Sequence, residues 1–438
     1  MTGPYADLLR HGFDEYRRFI NPLVSQRANL VGEPVRVVRA EGGSLRGPQD
    51  EVVEDFHGTQ FFGHRHPAIT AAAQEYLASD APSWYPSRVN PFAGRFARRL
   101  CERTGHYDVC FFGMSGADAV EAALKLARGV TGRPRLLGLT GAYHGCTLGA
   151  LALMAEGYLR DAFGPHLPGV EAVPFGDVEA LERALAPGDV AAVVVEPIQG
   201  EGGVRELPAP FVAALCELTE RHGTLLVADE VQTGLGRTGR GFLASAAWPR
   251  RPDAVILAKQ LGGGLVPTSA MLSRRELFLK AYGSDFARGE SHNVTLGCNA
   301  LAAVTGLATL ELLTDELMAA VAQKGARFKA RLTEAVEGCP LVREVRGAGL
   351  MLGIALRDSE HPWLSFEHMG FKELGGKSLM SPLLCHRLYR RGFFCFTCGH
   401  DWTIFRLQPR YDCPDATLDA FADACREELD YLCQLATD

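Results

Sequence analysis

The stretch "PDAVILAKQLGGG" (residues 252–264) decides how this chain is to be read. An apolar run, 254–258, ends in an ionisable amine, Lys259, with three glycines at 262–264. A buried lysine loses hydration free energy that something else must offset. The run reads as a buried strand, so the amine at its end needs a partner or a purpose.

The same pattern recurs on either side. "AAVVVEP" (191–197), "TLLVADE" (224–230) and "DAVILAK" (253–259) all read as strands apolar on both faces. Between the first two, "PAPFVAALCELTERHG" (208–223) has helical spacing and a closing glycine. "ADAVEAALKLARGVTG" (117–132) is a second helix, with Gly129 near its end. Strands alternating with helices predict an α/β fold with a mostly parallel central sheet covered by helices on both faces.

The tail differs. "LVREVRGAGLMLGIAL" (341–356) alternates as half-buried strands do, and "DATLDAFADACREELDYLCQL" (415–435) is an amphipathic helix. A smaller α+β domain is therefore expected over 331–438, joined by an N-terminal segment, 1–57, around a large domain, 58–330. The segment 357–382 lacks a clear period and reads as an insertion: a lid, a contact loop or a plain surface excursion.

Composition narrows the class of function. The chain has 438 residues, 47% hydrophobic and 22% charged, with a net charge of −7 and no long basic run, which disfavours nucleic acid as a partner. No run approaches the roughly 20 apolar residues of a membrane span, and the first residues hold no apolar leader. Twelve cysteines are scattered, and the one close pair, Cys395 and Cys398, lacks zinc-site spacing, so no metal is expected. Reduced thiols in a cytoplasmic protein are the expectation.

In a parallel sheet, ligands collect beyond the carboxyl ends of the strands. Glu196, Asp229 and Lys259 stand at three such ends. Asp229 and Lys259 could form a structural ion pair; alternatively, a cofactor lies between them. Pyridoxal phosphate needs an amine for its aldehyde, an anion for its ring nitrogen and amide donors for its phosphate. Lys259 and Asp229 supply the first two. "MSGA" (114–117), before a long helix, offers Ser115, Gly116 and Ala117 for the third, although Ser-Gly at that position is also an ordinary cap. Tyr143, in "GAYHG" (141–145), offers an aromatic face for a pyridine ring or for packing.

Taken in order, "SGADAVEAALKLAR", "YHG", "VEPIQGEGG", "LLVADEVQTGLGRTG", "AKQLGGGLVPTSAML", "TLGCNALAA" and "RGAGLMLGIAL" resemble the class III (ornithine/ω-amino acid) aminotransferases from about residue 30 to 430. The resemblance implies a fold-type I enzyme that uses pyridoxal phosphate and works as a homodimer with shared active sites. It makes Lys259 the Schiff-base lysine, Asp229 the partner of the ring nitrogen and Gln232 the neighbour of the ring hydroxyl. Tyr143 becomes the stacking aromatic and Ser115–Ala117 the phosphate loop, with His144 and Glu196 among the cofactor contacts. Thr295 would reach the phosphate from the neighbouring subunit.

Two matches bear on substrate. Arg406 falls on the arginine that clamps an α-carboxylate, and Glu201 on the glutamate that covers it when an ω-amine faces the cofactor. The implied reaction moves the terminal amine of a diamino or ω-amino acid to a 2-oxo acid such as 2-oxoglutarate. An aminomutase, epimerase, decarboxylase or amine-eliminating lyase of the same family is the alternative. Departures from the pattern lie at Met114, Cys298, Ala300, the insertion and Gln408-Pro409-Arg410-Tyr411. None touches the amine, the anion or the phosphate donors.

Overall fold

The computed structural model describes residues 5–21, 37–58, 60–85, 89–155, 157, 160–359, 361, 364–371, 374 and 376–437. The chain forms two compact units, one of residues 67–323 and one of residues 1–66 with 324–438. The divisions thus fall after His66 and after Gln323, the latter inside the helix Asp315–Ala335. The sequence expectation set them at 57 and 330.

The larger unit is built on seven strands: β1 (Val109–Gly113), β2 (Arg135–Leu139), β3 (Val170–Val173), β4 (Val190–Val195), β5 (Leu225–Asp229), β6 (Ala254–Leu257) and β7 (Ser269–Ser273). Their order across the sheet is β1-β7-β6-β5-β4-β2-β3. All neighbours are parallel except β7, which runs antiparallel to both β6 and β1.

Alternate strand residues enter two different apolar clusters. Leu136, Val194, Val227 and Ile256 pack with helix α1 (Gly116–Thr131). Leu137, Val193, Val195 and Leu226 pack with the helices Val178–Leu185 and Ala209–Arg221. Helices therefore cover both faces, and burial on both faces explains why these strands lack alternation in sequence.

Helix α1 ends at Gly132 in the left-handed region, φ +68°, rather than at Gly129. Gly129 lies within it, where an added Cβ would come within 3.0 Å of Ala281.

In the smaller unit, Val342–Ala348 and Met351–Leu356 form an antiparallel pair, and Ile404–Leu407 lies beside the latter. Met351–Leu356 is buried throughout, not half-buried as its alternation suggests. At the centre of this unit Phe56 stacks on Phe421, and Phe328 and Phe393 meet Phe56 edge-on. Tyr411 is fully buried against Phe61 and Phe62. The departure at that position is thus a matter of core packing.

Within the expected insertion, Phe366 packs edge-on against Trp402, ring centroids 5.7 Å apart, and Leu379 joins them. Residues 360, 362–363, 372–373 and 375 of that segment lie outside the described residues, as do 1–4 and 22–36 of the N-terminal segment. Among the described residues, no helix is long and apolar enough to cross a membrane.

Candidate active site

Every strand that runs in the common direction from β1 to β6, β3 excepted, delivers a side chain to one cavity of about 560 Å³ in the larger unit. Asp229 is the last residue of β5, and Glu196 follows β4 directly. Tyr143 and His144 follow β2, Ser115 to Ala117 follow β1, and Lys259 follows β6. The cavity thus occupies the position that strand polarity dictates.

Lys259 departs from expectation in one respect. It does not end the strand; β6 stops at Leu257, and Lys259 opens a tight turn, Lys259–Gly262, with φ +51°. A non-glycine residue in this region costs about 1–2 kcal/mol. Full burial of a single large aliphatic side chain contributes about 1.5–3 kcal/mol. Val255, Ile256 and Leu257 are all fully buried, so the packing of β6 holds the turn in place.

Asp229 is fixed from two sides. Its Oδ2 lies 2.8 Å from His144 Nδ1, and its Oδ1 accepts the Val231 N–H at 3.0 Å. Both Asp229 and His144 are buried, at 3% exposure each. Held in this way, the carboxylate is a ready counter-ion for a cationic ring nitrogen.

At the other end, Ser115 caps α1. Its hydroxyl accepts from the Asp118 N–H, while Asp118 Oδ2 accepts from the N–H groups of Met114 and Ser115, both at 2.9 Å. The amides of Gly116 and Ala117 stand in the first turn outside this box, where the helix favours an anion. A Cβ on Gly116 would come within 3.3 Å of Val231, so glycine keeps the cavity open there.

Glu196 is buried, and its Oε2 has no hydrogen-bond partner. Burial pushes its carboxyl well above the usual range; the charges of Asp229 and Glu201 act in the same sense, and Lys259 opposes them. His144 Nε2 is likewise buried and without a partner. Tyr143 is half-buried, its hydroxyl 3.3 Å from the Cys146 thiol. Burial and then that hydrogen bond raise its phenol.

Glu201 sits at the tip of a hairpin whose arms are Ile198–Gln199 and Arg205–Glu206. Gln232 Nε2 donates to Glu201 Oε1 at 3.3 Å. A Cβ on Gly200 would fall 2.2 Å from the end of the Gln232 side chain, so a larger residue there would move Gln232.

The structure therefore brings Ser115, Gly116, Ala117, Tyr143, His144, Glu196, Asp229, Gln232 and Lys259 to one cavity, with Glu201 beside Gln232. Thr295 is not among its lining residues; it lines a second cavity, with Trp84, Tyr85 and Cys298. Arg406 is buried in the smaller unit, on the strand Ile404–Leu407 opposite Gly353. Gly145, Cys146, Thr147, Val231 and Ala258 also line the cavity and were not singled out in the sequence. Their position just after β2, β5 and β6 is the signal that could have found them. Among the described residues, no group of side chains could hold a metal ion.

The donor set suits pyridoxal phosphate. Lys259 can meet an aldehyde, Asp229 a ring nitrogen and the start of α1 a phosphate, and Glu196 and His144, which also line the cavity, each keep a buried polar atom without a partner.

Comparison with known proteins agrees. The family model "Aminotransferase class-III" matches residues 27–429. The aminotransferase PigE of Serratia sp. is 38% identical over 348 residues. That match takes in 78% of this chain and 40% of PigE, so the chain matches less than half the length of that relative. The solved ornithine aminotransferase of Toxoplasma gondii is 26% identical, with a TM-score of 0.81 and coverage of 97% of this chain and 95% of that one. An amine transaminase from an uncultivated Pseudomonas species, solved with pyridoxal phosphate bound, is 26% identical with a TM-score of 0.78, covering 90% of this chain and 94% of that one.

Proposed function

The chain belongs to the class III aminotransferases, enzymes that use pyridoxal phosphate, and on that premise we propose that it moves the terminal amine of a diamino or ω-amino compound to a 2-oxo acid such as 2-oxoglutarate. Bound pyridoxal phosphate supplies an electron sink for negative charge at the donor carbon. The chain's own residues supply the rest.

Lys259 Nζ would hold the cofactor through its carbonyl carbon and is the group placed to move a proton at the donor carbon. Asp229, oriented by His144 and the Val231 amide, holds the positive charge of the ring nitrogen. Gly116 and Ala117 bind the phosphate through their amides, with Ser115 shaping that turn. Tyr143 would cover the ring, and Gln232, held against Glu201, would meet the ring hydroxyl. Glu196, buried and with an unpartnered oxygen, would be a further contact of the bound cofactor.

Arg406 is the proposed clamp for the acceptor's carboxylate, for which a planar guanidinium is well suited. A homodimer, in which Thr295 of one copy serves the phosphate of the other, fits the position of Thr295 outside its own chain's cavity.

The observation that carries this reading is the convergence of Lys259 and the braced Asp229 on one cavity. The Lys259→Ala variant tests it. The visible absorbance of the bound cofactor and all turnover are expected to vanish, and a variant that kept both would overturn the assignment.

A further inference from the structure

Half of the twelve cysteines belong to the apolar core of the smaller unit: Cys339, Cys385, Cys395, Cys413, Cys425 and, at its edge, Cys433. Two pairs of sulfurs come close there. Cys339 Sγ and Cys433 Sγ lie 3.4 Å apart, and Cys385 Sγ and Cys395 Sγ 3.9 Å apart. The pairs differ in access. Cys385 and Cys395 are 1% and 2% exposed, whereas Cys433 is only half-buried and opens its pair to solvent. Neither Cys339 nor Cys433 lines the cavity at Lys259.

The segments that carry the outer pair are held together by other groups. Cys339 stands in the turn between the helix Asp315–Ala335 and the strand Val342–Ala348, and Cys433 lies near the end of the helix Asp415–Thr437. Arg426 of that helix donates through Nη1 to the carbonyls of Ala335 and Glu337, at 3.1 and 2.8 Å, while its Nε donates to Asp430 at 2.8 Å. On the far side of the turn, Arg357 Nη1 donates to the carbonyls of Pro340 and Val342, both at 2.7 Å. The backbone is thus pinned before and after Cys339, and the thiols meet in a frame they do not themselves maintain. A covalent S–S bond of about 2.05 Å asks for only a small further approach.

We infer that Cys339 and Cys433 are a reversible redox modification site, at which a disulfide oxidant such as glutathione disulfide joins the two and locks the end of the helix Asp415–Thr437 to the turn at 335–342. Cys433, the accessible partner, attacks one sulfur of the oxidant as a thiolate. The oxidant's S–S bond breaks, and one glutathione leaves. Cys339 then attacks Cys433 Sγ in the mixed disulfide, whose S–S bond breaks to release the second glutathione. Two protein thiols are oxidised, one disulfide is reduced to two thiols, and the two protons pass to the departing glutathiones. Burial and then the hydrogen bond with Cys339 raise the Cys433 thiol, so the first step is slow near neutral pH and the exchange must be run to equilibrium. Helix ends fray, and a bond across 94 residues of sequence restrains this one strongly.

The test uses the full chain with its cofactor, held with excess glutathione disulfide to equilibrium. The thiols are trapped with N-ethylmaleimide during denaturation, and the protein is digested without reduction. Mass spectrometry should find the peptides of Cys339 and Cys433 joined, and parted again by dithiothreitol, with Cys385 and Cys395 recovered as alkylated thiols. No link between Cys339 and Cys433, or a link between Cys385 and Cys395 in its place, overturns the inference.

The lock has its own readout. Amide hydrogen exchange over residues 426–437 should slow by about tenfold or more on oxidation of the wild type, and should not respond to oxidation in Cys433→Ser. Exchange that stays the same in the linked wild type, or slows equally in the variant, refutes the lock. Cys339→Ala removes the other sulfur and decides in the same way if Cys433→Ser fails to fold.

Discussion

His144 and Asp229 meet at 2.8 Å, Nδ1 to Oδ2, although 85 residues separate them in the chain. The pair joins the loop after β2 to the end of β5 and leaves the carboxylate one fixed orientation. A hydrogen bond to a charged group contributes about 1.5–3 kcal/mol, so the contact bears directly on how tightly a cationic ring is held.

His144→Ala is expected to weaken pyridoxal phosphate binding about tenfold or more, measured by absorbance titration of the cofactor-free protein. Asn at this position, which keeps one donor, should recover part of the loss. An unchanged dissociation constant in the Ala variant would mean that Asp229 needs no brace.

Glu196 gives the stability of the cofactor-free protein a pH dependence of definite sign. Burial holds its folded pKa well above the usual carboxylate range, so the folded state keeps a proton that the unfolded chain releases. The stability this group contributes is therefore full below the unfolded value and is lost as pH rises through the folded one. As pH rises above the ordinary carboxylate range, the urea midpoint of Glu196→Gln should fall less steeply than that of the wild type. Parallel curves would refute the assignment.

Lys259 occupies a left-handed backbone conformation, φ +51°. Comparison of two inactive variants isolates that feature. Lys259→Gly should be more stable than Lys259→Ala by about 1 kcal/mol in urea unfolding without cofactor, because glycine adopts this region freely. The reverse order would show that the turn relaxes once the amine is gone.

Gly145 has φ +119°, and a Cβ there would fall 2.6 Å from that of Ala117. Gly145→Ala should push the loop carrying Tyr143 and His144 away from the start of α1. The expected cost is about 1–3 kcal/mol of stability, together with weaker cofactor binding; calorimetric melting and cofactor titration read the two effects.

Much of this architecture is legible in the residues. The runs at 191–197, 224–230 and 253–259 mark strands because burial on both faces leaves little room for polar side chains. Lys259 and Asp229 stand out because charge at the end of such a run is costly unless used. The reversed direction of β7 is not legible, since "SAMLS" (269–273) reads alike in either sense. Nor is the His144–Asp229 contact, the orphan oxygen of Glu196 or the thiol beside Tyr143, because each arises from tertiary approach between distant segments. Tyr411, one of the departures from the family pattern, packs among Phe61 and Phe62.

The capping box at Ser115 and Asp118 closes entirely within the chain, from its own backbone and side-chain atoms. The part of the proposed phosphate seat that this turn supplies is therefore assembled before any guest arrives, and docking there would carry little ordering penalty. Such a protein can release its vitamin-derived partner and take up a fresh one while this part of the scaffold keeps its shape.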